Sequence, residues 1–202
     1  MRKSKNIKID KTAKVENGAI IYPNVLVIGN SVIESGAIIY SGSVISNSKI
    51  GKNAIIKSSY VEDSEVCSLA SIGPFAHIRQ NSKIGEESVV GNFVEIKNSR
   101  LGKNVKTLHH TYIGDAEIGD RTNIGCGVVF CNYNGRTKNK IIIENDCFIG
   151  SNSNLIAPLF IAEKTYITAG STLTKNTNKY DFVISRNRET IKPEYAKKYF
   201  DK

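Results

Sequence analysis

The sequence predicts an all-β fold, a parallel β-helix built from six-residue repeats, and three observations support this prediction. First, an apolar anchor recurs at every sixth position, at Ile9, Val15, Ile21, Val27, Ile33, Ile39 and Ile45. Second, a small or β-branched residue follows most anchors by four positions, as at Ala13, Ala19 and Val25. Third, a glycine often follows the anchor directly, as in Ile84-Gly85. A helix spaces apolar residues by about 3.6 and an amphipathic strand by about 2, so a spacing of six fits neither.

The repeat requires a stacked architecture. Each short strand can bury only one or two side chains, so the strands must stack in parallel to complete a core. The repeat slips at Ile50 and resumes in later runs, at Ile72, Ile78, Ile84, Val90 and Ile96, at Ile118 and Ile124, and at Ile149, Leu155, Ile161, Ile167 and Leu173. We therefore predict a β-helix domain over residues 9–175, preceded by a leader over residues 1–8.

Two stretches interrupt the rhythm. Residues 131–140 are polar and basic and contain the turn signal Asn134-Gly135, so we predict a loop that leaves the stack. Residues 176–202 form a tail in which Pro193 and the aromatic residues after it predict a short helix. This helix would cap the open end of the stack or pack on a neighbouring molecule.

The composition indicates a folded chain that prefers anionic ligands. Hydrophobic residues make up 40% of the chain, and 28 Lys and Arg against 19 Asp and Glu leave a formal net charge of +9. This excess favours phosphates, cofactor pyrophosphates or nucleic acid as ligands. We expect no nucleic-acid binding, because the basic residues are scattered and no platform of aromatic residues accompanies them.

Compartment and metal content follow from the same residues. No apolar stretch follows the basic segment MRKSKNIKID, so we expect no signal peptide, no membrane insertion and a cytoplasmic location. The four cysteines form no CxxC pair, as expected in a reducing compartment. His77, His109 and His110 have no metal-ligand spacing with a carboxylate or a cysteine, so we expect no metal.

Five strings between Ile72 and Arg186 lie outside the simple repeat pattern: IGPFAHIR, GNFVEIK, HHTYIGDAEIGDRTNIG, CNYNG and VISR. In order and spacing they resemble the acetyltransferase half of the bifunctional bacterial N-acetylglucosamine-1-phosphate uridyltransferase/glucosamine-1-phosphate N-acetyltransferase, a family of hexapeptide-repeat acyltransferases. The resemblance implies a left-handed β-helix and a homotrimer with active sites where subunits meet. It also implies transfer of acetyl from acetyl-CoA to the amine of glucosamine 1-phosphate, which would feed UDP-N-acetylglucosamine and peptidoglycan precursor synthesis.

The resemblance assigns roles to individual residues. His109 matches the general base, and this chemistry requires one because the attacking amine must lose a proton. Arg79 and Lys97 match positions that bind the sugar phosphate. Further acceptor-site positions are matched by Tyr112, Asn123, Asn132, Tyr133 and Lys138. Guanidinium and ammonium groups suit a phosphate. Without the resemblance, His109 is equally a surface histidine bonded at a turn, and Arg79 and Lys97 are solvated cations. Glu95 orients the substrate or pairs with a cation.

The positions that match acetyl-CoA contacts are Cys126, Ser151, Ala169 and Arg186. Small residues at Ala169-Gly170 would let a pantetheine arm approach the backbone, and Arg186 would pair with a cofactor phosphate. The sequence departs from the family at Leu108, where Gly is usual, at His110, and at Cys126, where Ala is usual. We expect direct attack by the amine without an acetyl-cysteine, and an oxyanion held by backbone amides near Cys126.

Several alternatives remain open at this point. No Gly-rich nucleotide-binding unit precedes the repeats, so we expect no UTP chemistry. The chain is then a stand-alone acetyltransferase or one half of a divided protein with a separate uridyltransferase chain. The acceptor could be another amino sugar or a nucleotide sugar, or the chain could be a catalytically silent trimeric scaffold. The intact set of His109, Arg79 and Lys97 favours an enzyme.

Overall fold

The computed structural model describes residues 6–200 and confirms the predicted parallel β-helix. Nearly all of its 27 strands are two or three residues long, and one short helix follows them. In chain order the elements are β1 (Lys8–Ile9), β2 (Lys14–Val15), β3 (Ile20–Ile21), β4 (Leu26–Ile28), β5 (Val32–Ile33), β6 (Ile38–Ile39), β7 (Val44–Ser46), β8 (Lys49–Ile50), β9 (Ile55–Ile56), β10 (Tyr60–Glu62), β11 (Glu65–Val66), β12 (Ser71–Ile72), β13 (His77–Arg79), β14 (Lys83–Ile84), β15 (Val89–Lys97), β16 (Arg100–Leu101), β17 (Lys106–Gly114), β18 (Ala116–Ile118), β19 (Asn123–Ile124), β20 (Val129–Cys131), β21 (Ile141–Ile143), β22 (Phe148–Ile149), β23 (Asn154–Ile156), β24 (Leu159–Ile161), β25 (Tyr166–Ile167), β26 (Thr172–Leu173), β27 (Phe182–Val183) and α1 (Lys197–Phe200).

The strands stack in three parallel columns that form the sides of a prism. Side A contains β3, β6, β9, β12, β19, β22, β25 and β27, and side B contains β1, β4, β7, β10, β13, β20, β23 and β26. Side C contains β2, β5, β8, β11, β14, β16, β18, β21 and β24. The long strands β15 and β17 bend from side A onto side B and pair on both. We name the edges AB, BC and CA after the sides that they join.

The repeat anchors form the core. The anchors on the inner coils are completely buried, as at Ile33, Ile39 and Ile45. The first two anchors differ, because Ile9 is 43% and Val15 is 38% exposed. Among residues 6–200 no coil lies beneath them, which accounts for this exposure. Among the small residues predicted between anchors, Ala13 and Ala19 on the first coil are half-buried, and those on the inner coils, such as Val25 and Ser31, are buried. The Ser31 hydroxyl donates to the carbonyl of Ile28.

The chain leaves the stack between β20 and β21, where the loop was predicted. Asn134 Oδ1 accepts hydrogen bonds from the backbone N–H of Arg136 at 2.9 Å and of Thr137 at 2.8 Å. Tyr133 and Lys138 form an isolated antiparallel bridge. The loop is therefore a compact turn that returns the chain to side C.

The stack continues beyond the boundary predicted at residue 175, because β27 pairs with β25 on side A. The short helix α1 lies in the predicted tail and buries none of its residues, so it does not cap the stack within this chain. Residues 1–5 of the predicted leader and 201–202 of the tail lie outside the described residues. Within residues 6–200, no helix has the length and apolar character needed to span a bilayer.

Candidate active site

The candidate general base, His109, lies in β17 on the AB edge, with its side chain exposed. Asn92 occupies the matching position on the previous coil. Its Oδ1 lies 2.7 Å from Nδ1 of His109. Because an amide oxygen can only accept, Nδ1 is the donor of this hydrogen bond, and in the neutral imidazole Nε2 then keeps its lone pair. An imidazole of this tautomer can take a proton from a substrate amine.

The two neighbours of His109 in the sequence are held by other contacts. The carbonyl oxygen of Leu108 lies so close to Gly91 that a Cβ there would overlap it. His110 has a φ of 41°, and its ring centroid lies 4.9 Å from that of Phe93. The second histidine of the pair is thus engaged by an aromatic ring, and only His109 faces Asn92.

Three candidate cofactor residues continue the column of His109 along the AB edge. Strand pairing places the preceding residues Thr107, Ile124, Ile149 and Ile167 in register on successive coils. Two positions later the same coils carry His109, Cys126, Ser151 and Ala169. These four residues therefore form one column, in which each step is about 4.8 Å.

In this column two backbone carbonyls accept hydrogen bonds, whereas three backbone N–H groups have no acceptor among residues 6–200. Asn152 N–H donates to the carbonyl of Cys126 at 2.8 Å, and Gly170 N–H donates to that of Ser151 at 2.8 Å. The N–H groups of Cys126, Ser151 and Ala169 donate to no acceptor among residues 6–200. An extended ligand with carbonyl groups could pair with these donors.

Arg186 lies at the end of the column. Its side chain is exposed, and its Cδ would lie 4.0 Å from a Cβ added to Gly170. The guanidinium is therefore placed to meet an anionic group beyond Ala169. No cluster of three or more His, Cys, Asp or Glu side chains in the described part of the chain has an arrangement that could hold a metal ion.

A second group of candidate residues surrounds a cavity of about 530 Å³ at the BC edge. Lys97 and Lys138 line this cavity together with Asp115. Lys97 is only 8% exposed. Its ammonium group, in close contact with Lys138, lowers the pKa of Lys138 below the ordinary value. Neither lysine forms an ion pair with a described residue. The charge of Asp115 offsets part of the repulsion between the two ammonium groups, and a bound anion would offset more of it.

Arg79 lies next to Lys97 in the strand register. Its guanidinium donates to Glu95 Oε1 from Nε at 2.9 Å and from Nη2 at 2.5 Å. Of the two roles considered for Glu95, the structure shows pairing with a cation. The remaining donors of Arg79 are available to a phosphate.

Tyr112 and Asn132 meet beside Gly114. Asn132 is 6% exposed, and its Nδ2 donates to Asp115 Oδ2 at 2.5 Å and to the hydroxyl oxygen of Tyr112 at 3.4 Å. A Cβ on Gly114 would overlap the Tyr112 hydroxyl and lie 2.6 Å from Asn132 Nδ2. The absence of a side chain at Gly114 leaves room for the Tyr112 hydroxyl and the Asn132 amide in these positions.

The remaining two acceptor residues do not join this group. Asn123 lies half-buried on side A, in register with Lys106 and Phe148. Tyr133 is 60% exposed, and its hydroxyl donates to the carbonyl of Gly135 at 2.8 Å. The single chain therefore carries a His109 group on the AB edge and a lysine group on the BC edge, with side B between them.

Three residues of these groups were not predicted. Asn92 holds His109, Asp115 holds Asn132, and Gly114 makes room for it. A signal for Asn92 exists, because it precedes His109 by 17 residues, close to the length of one coil of three repeats. Asp115 gives no such signal, since its partner comes from a loop outside the repeat.

Comparisons with known proteins agree with these observations, although no protein-family model matches the sequence. The bifunctional protein GlmU of Caldicellulosiruptor saccharolyticus is 52% identical over 134 residues, which are 66% of this chain and 29% of that protein. GlmU of Campylobacter fetus is 52% identical over 148 residues, or 73% of this chain and 33% of that protein. The chain thus spans about a third of the length of these curated relatives.

Two solved structures share the fold at low sequence identity. LpxA from Acinetobacter baumannii superposes with a TM-score of 0.59 at 17% identity, over 88% of this chain and 68% of that one. The Arabidopsis UDP-N-acetylglucosamine acyltransferase superposes with a TM-score of 0.53 at 17% identity, over 85% of this chain and 69% of that one. The chain is therefore a left-handed β-helix of hexapeptide repeats and, over about two thirds of its length, a homologue of the bifunctional protein GlmU.

Proposed function

We propose that this chain transfers the acetyl group of acetyl-CoA to the amine of glucosamine 1-phosphate, with residues 9–175 as the catalytic domain, to which the tail adds Arg186. The observation that carries the proposal is the position of His109. Asn92 holds it in one tautomer, and it stands in line with a column of unused backbone amides. The resemblance of the surrounding motifs to the acetyltransferase family, and the identity to GlmU, support the choice of reaction.

The cofactor would lie along the AB edge. Its pantetheine arm would pass Ala169 and Ser151, where unused N–H groups can pair with its amide carbonyls. The thioester would then reach Cys126, and Arg186 would meet a cofactor phosphate. The exposed thiol of Cys126 has no part in this scheme, because its backbone N–H makes the contact.

The acceptor phosphate would bind between Lys97 and Lys138. The two ammonium groups repel each other in the free chain. A dianion bound between them relieves this repulsion, which favours binding. Arg79, oriented by Glu95, adds further donors, and Tyr112 and Asn132 contact the sugar. Asn123 and Tyr133, which lie apart from this group in the single chain, are the remaining acceptor contacts that the resemblance implies.

The chemical step is direct acetyl transfer. The amine nitrogen attacks the thioester carbonyl carbon, and Nε2 of His109 takes the proton that the nitrogen must lose. The negative charge on the carbonyl oxygen is held by the N–H of Cys126. When the intermediate collapses, the C–S bond breaks, and the imidazolium of His109 returns its proton to the leaving thiolate.

The two residue groups require a second copy of the chain. His109 and Lys97 lie on different edges with side B between them, so one subunit cannot close the site. A homotrimer with threefold symmetry would place the AB edge of one subunit beside the BC edge of the next. The active site would then be shared between subunits, and a monomer would be inactive.

The product of this reaction would enter UDP-N-acetylglucosamine and peptidoglycan precursor synthesis. A uridyltransferase unit, which the described repeats do not contain, would carry out the nucleotidyl step. Both substrates are polar phosphates, so we place the reaction in the cytoplasm.

The test is the release of CoA thiol from acetyl-CoA in the presence of glucosamine 1-phosphate. Replacement His109→Ala should lower kcat by about 10² to 10⁴, the usual contribution of a general base. His77→Ala, which removes a half-exposed histidine paired with Glu62, is the control. Equal rates for wild type and His109→Ala would remove His109 from its role. Absence of thiol release with glucosamine 1-phosphate would refute the proposed reaction.

A further inference from the structure

The acceptor cavity does not end at Lys97 and Lys138 but continues along the BC edge. Two further cavities, of about 320 and 340 Å³, adjoin the cavity of about 530 Å³. Asn81 lines all three, and Arg100 lines both smaller ones. They form one groove, which we name the BC groove, and it runs from Lys140 to Asn30.

Arg100 is the unpaired cation of the extended part. In the strand register it stands between Lys83 and Glu117. Lys83 is already paired with Glu65, and Glu117 is already paired with Lys140. Arg100 itself forms no ion pair with any residue from 6 to 200. A second anionic group in the groove would therefore find a planar guanidinium ready to bind it.

The wall of the groove beyond Arg100 is polar. Beside asparagines and serines it carries the carboxylate of Asp63, the ion-paired groups of Lys49, Glu65 and Lys83, and Val32. Asn47, Asp63 and Asn81 follow one another on successive coils with φ between 45° and 58°, a conformation that Asn and Asp tolerate well. The Asn81 side chain makes no hydrogen bond to a described residue. No aromatic ring lines any of the three cavities. This wall suits hydroxyl groups and offers no stacking surface for a base.

We propose that the BC groove extends the acceptor site to amino sugars whose 1-phosphate carries a second phosphate and a polyhydroxylated substituent. The phosphate on the sugar lies at Lys97 and Lys138, the second phosphate lies at Arg100, and the hydroxyls of the substituent lie along Asn81 and Asp63. This inference rests on the proposed acetyl transfer, because it assigns the same lysines to the first phosphate. The acceptors in this class include nucleoside diphosphate amino sugars.

The experiment compares three acceptors in the thiol-release assay: glucosamine 1-phosphate, glucosamine 1-diphosphate and UDP-glucosamine. For Arg100→Gln, the ratio of kcat/KM for either diphosphate to kcat/KM for glucosamine 1-phosphate should fall about tenfold, as expected for loss of one charge-assisted hydrogen bond. Asn81→Leu should lower the ratio for UDP-glucosamine alone. Lys52→Gln, which removes a cation from the CA edge, should leave both ratios unchanged.

The outcomes separate this inference from the proposed reaction. Turnover of glucosamine 1-phosphate by the wild type with no turnover of either diphosphate overturns the groove assignment and leaves the proposed reaction standing. Equal ratios in Arg100→Gln and Lys52→Gln overturn it as well. A fall for both diphosphates in Arg100→Gln locates the second phosphate at Arg100. No turnover of any of the three acceptors refutes the proposed reaction and the inference together.

Discussion

Asn92 and His109 lie on adjacent coils of the AB edge, and Nδ1 of the imidazole donates to the amide oxygen across 2.7 Å. Replacement Asn92→Leu keeps the size of the side chain but removes the acceptor. The proton could then move to Nε2, which would disable the base. We expect kcat to fall about tenfold, corresponding to one lost hydrogen bond, with KM for both substrates unchanged in steady-state assays.

The control for this prediction is Asn92→Asp, which retains an oxygen acceptor at the same position. Its kcat should exceed that of Asn92→Leu. A purely structural role for Asn92 would lower the activity of both variants in parallel with their thermal stability. That result, or wild-type kcat in Asn92→Leu, would contradict the positioning role.

The lysine pair at the BC edge predicts proton uptake on phosphate binding. Lys97 lowers the pKa of Lys138 from the ordinary value of 10.5. Between that lowered pKa and 10.5, Lys138 is partly neutral in the free chain and becomes protonated when a dianion binds. Calorimetric titration with glucosamine 1-phosphate in this pH window, in buffers of different ionisation enthalpy, should therefore show net proton uptake.

Lys97→Met removes the cause of the lowered pKa. In this variant Lys138 stays protonated before binding, so proton uptake should vanish while some affinity remains. The direction of proton transfer on binding also determines how the affinity depends on pH. Binding should weaken as the pH rises through the pKa of Lys138, because the site then loses a positive charge. Proton release on binding would contradict this account.

The repeat period predicted the coil architecture because each anchor is fixed by its own burial. Ile33 and Ile39 point inward for the same reason, whatever the ligand. The site follows a different rule. The link from Asn92 to His109 depends on the length of one coil, and the link from Asn132 to Asp115 depends on how a non-repeating loop returns. Residue types alone predict neither hydrogen bond. The motif resemblance assigned roles to the site residues, and the structure placed them on two different edges of the prism.

Two glycines that look alike in sequence should respond differently to Ala. A Cβ on Gly114 would overlap the ends of two side chains, Tyr112 and Asn132, which can move. A Cβ on Gly91 would overlap the backbone carbonyl of Leu108, which is fixed in the stack. We expect Gly114→Ala to raise KM for glucosamine 1-phosphate severalfold with little change in Tm. Gly91→Ala should lower Tm by several degrees, in line with about 1–3 kcal/mol for an overpacked site. Similar Tm values for the two variants would contradict this distinction.

Ala169 tests whether the AB column holds the cofactor. The residue is exposed and its N–H is unused, so Ala169→Leu should not disturb the core. The larger side chain would cover the path of the pantetheine arm, and we expect KM for acetyl-CoA to rise about tenfold, the effect of about 1.4 kcal/mol. KM for glucosamine 1-phosphate should stay the same, since the acceptor group lies on another edge. Ala196→Leu makes the same change at an exposed position outside the coil stack and should alter neither KM. An unchanged KM for acetyl-CoA in Ala169→Leu would contradict the proposal that the cofactor binds along the column that ends at His109.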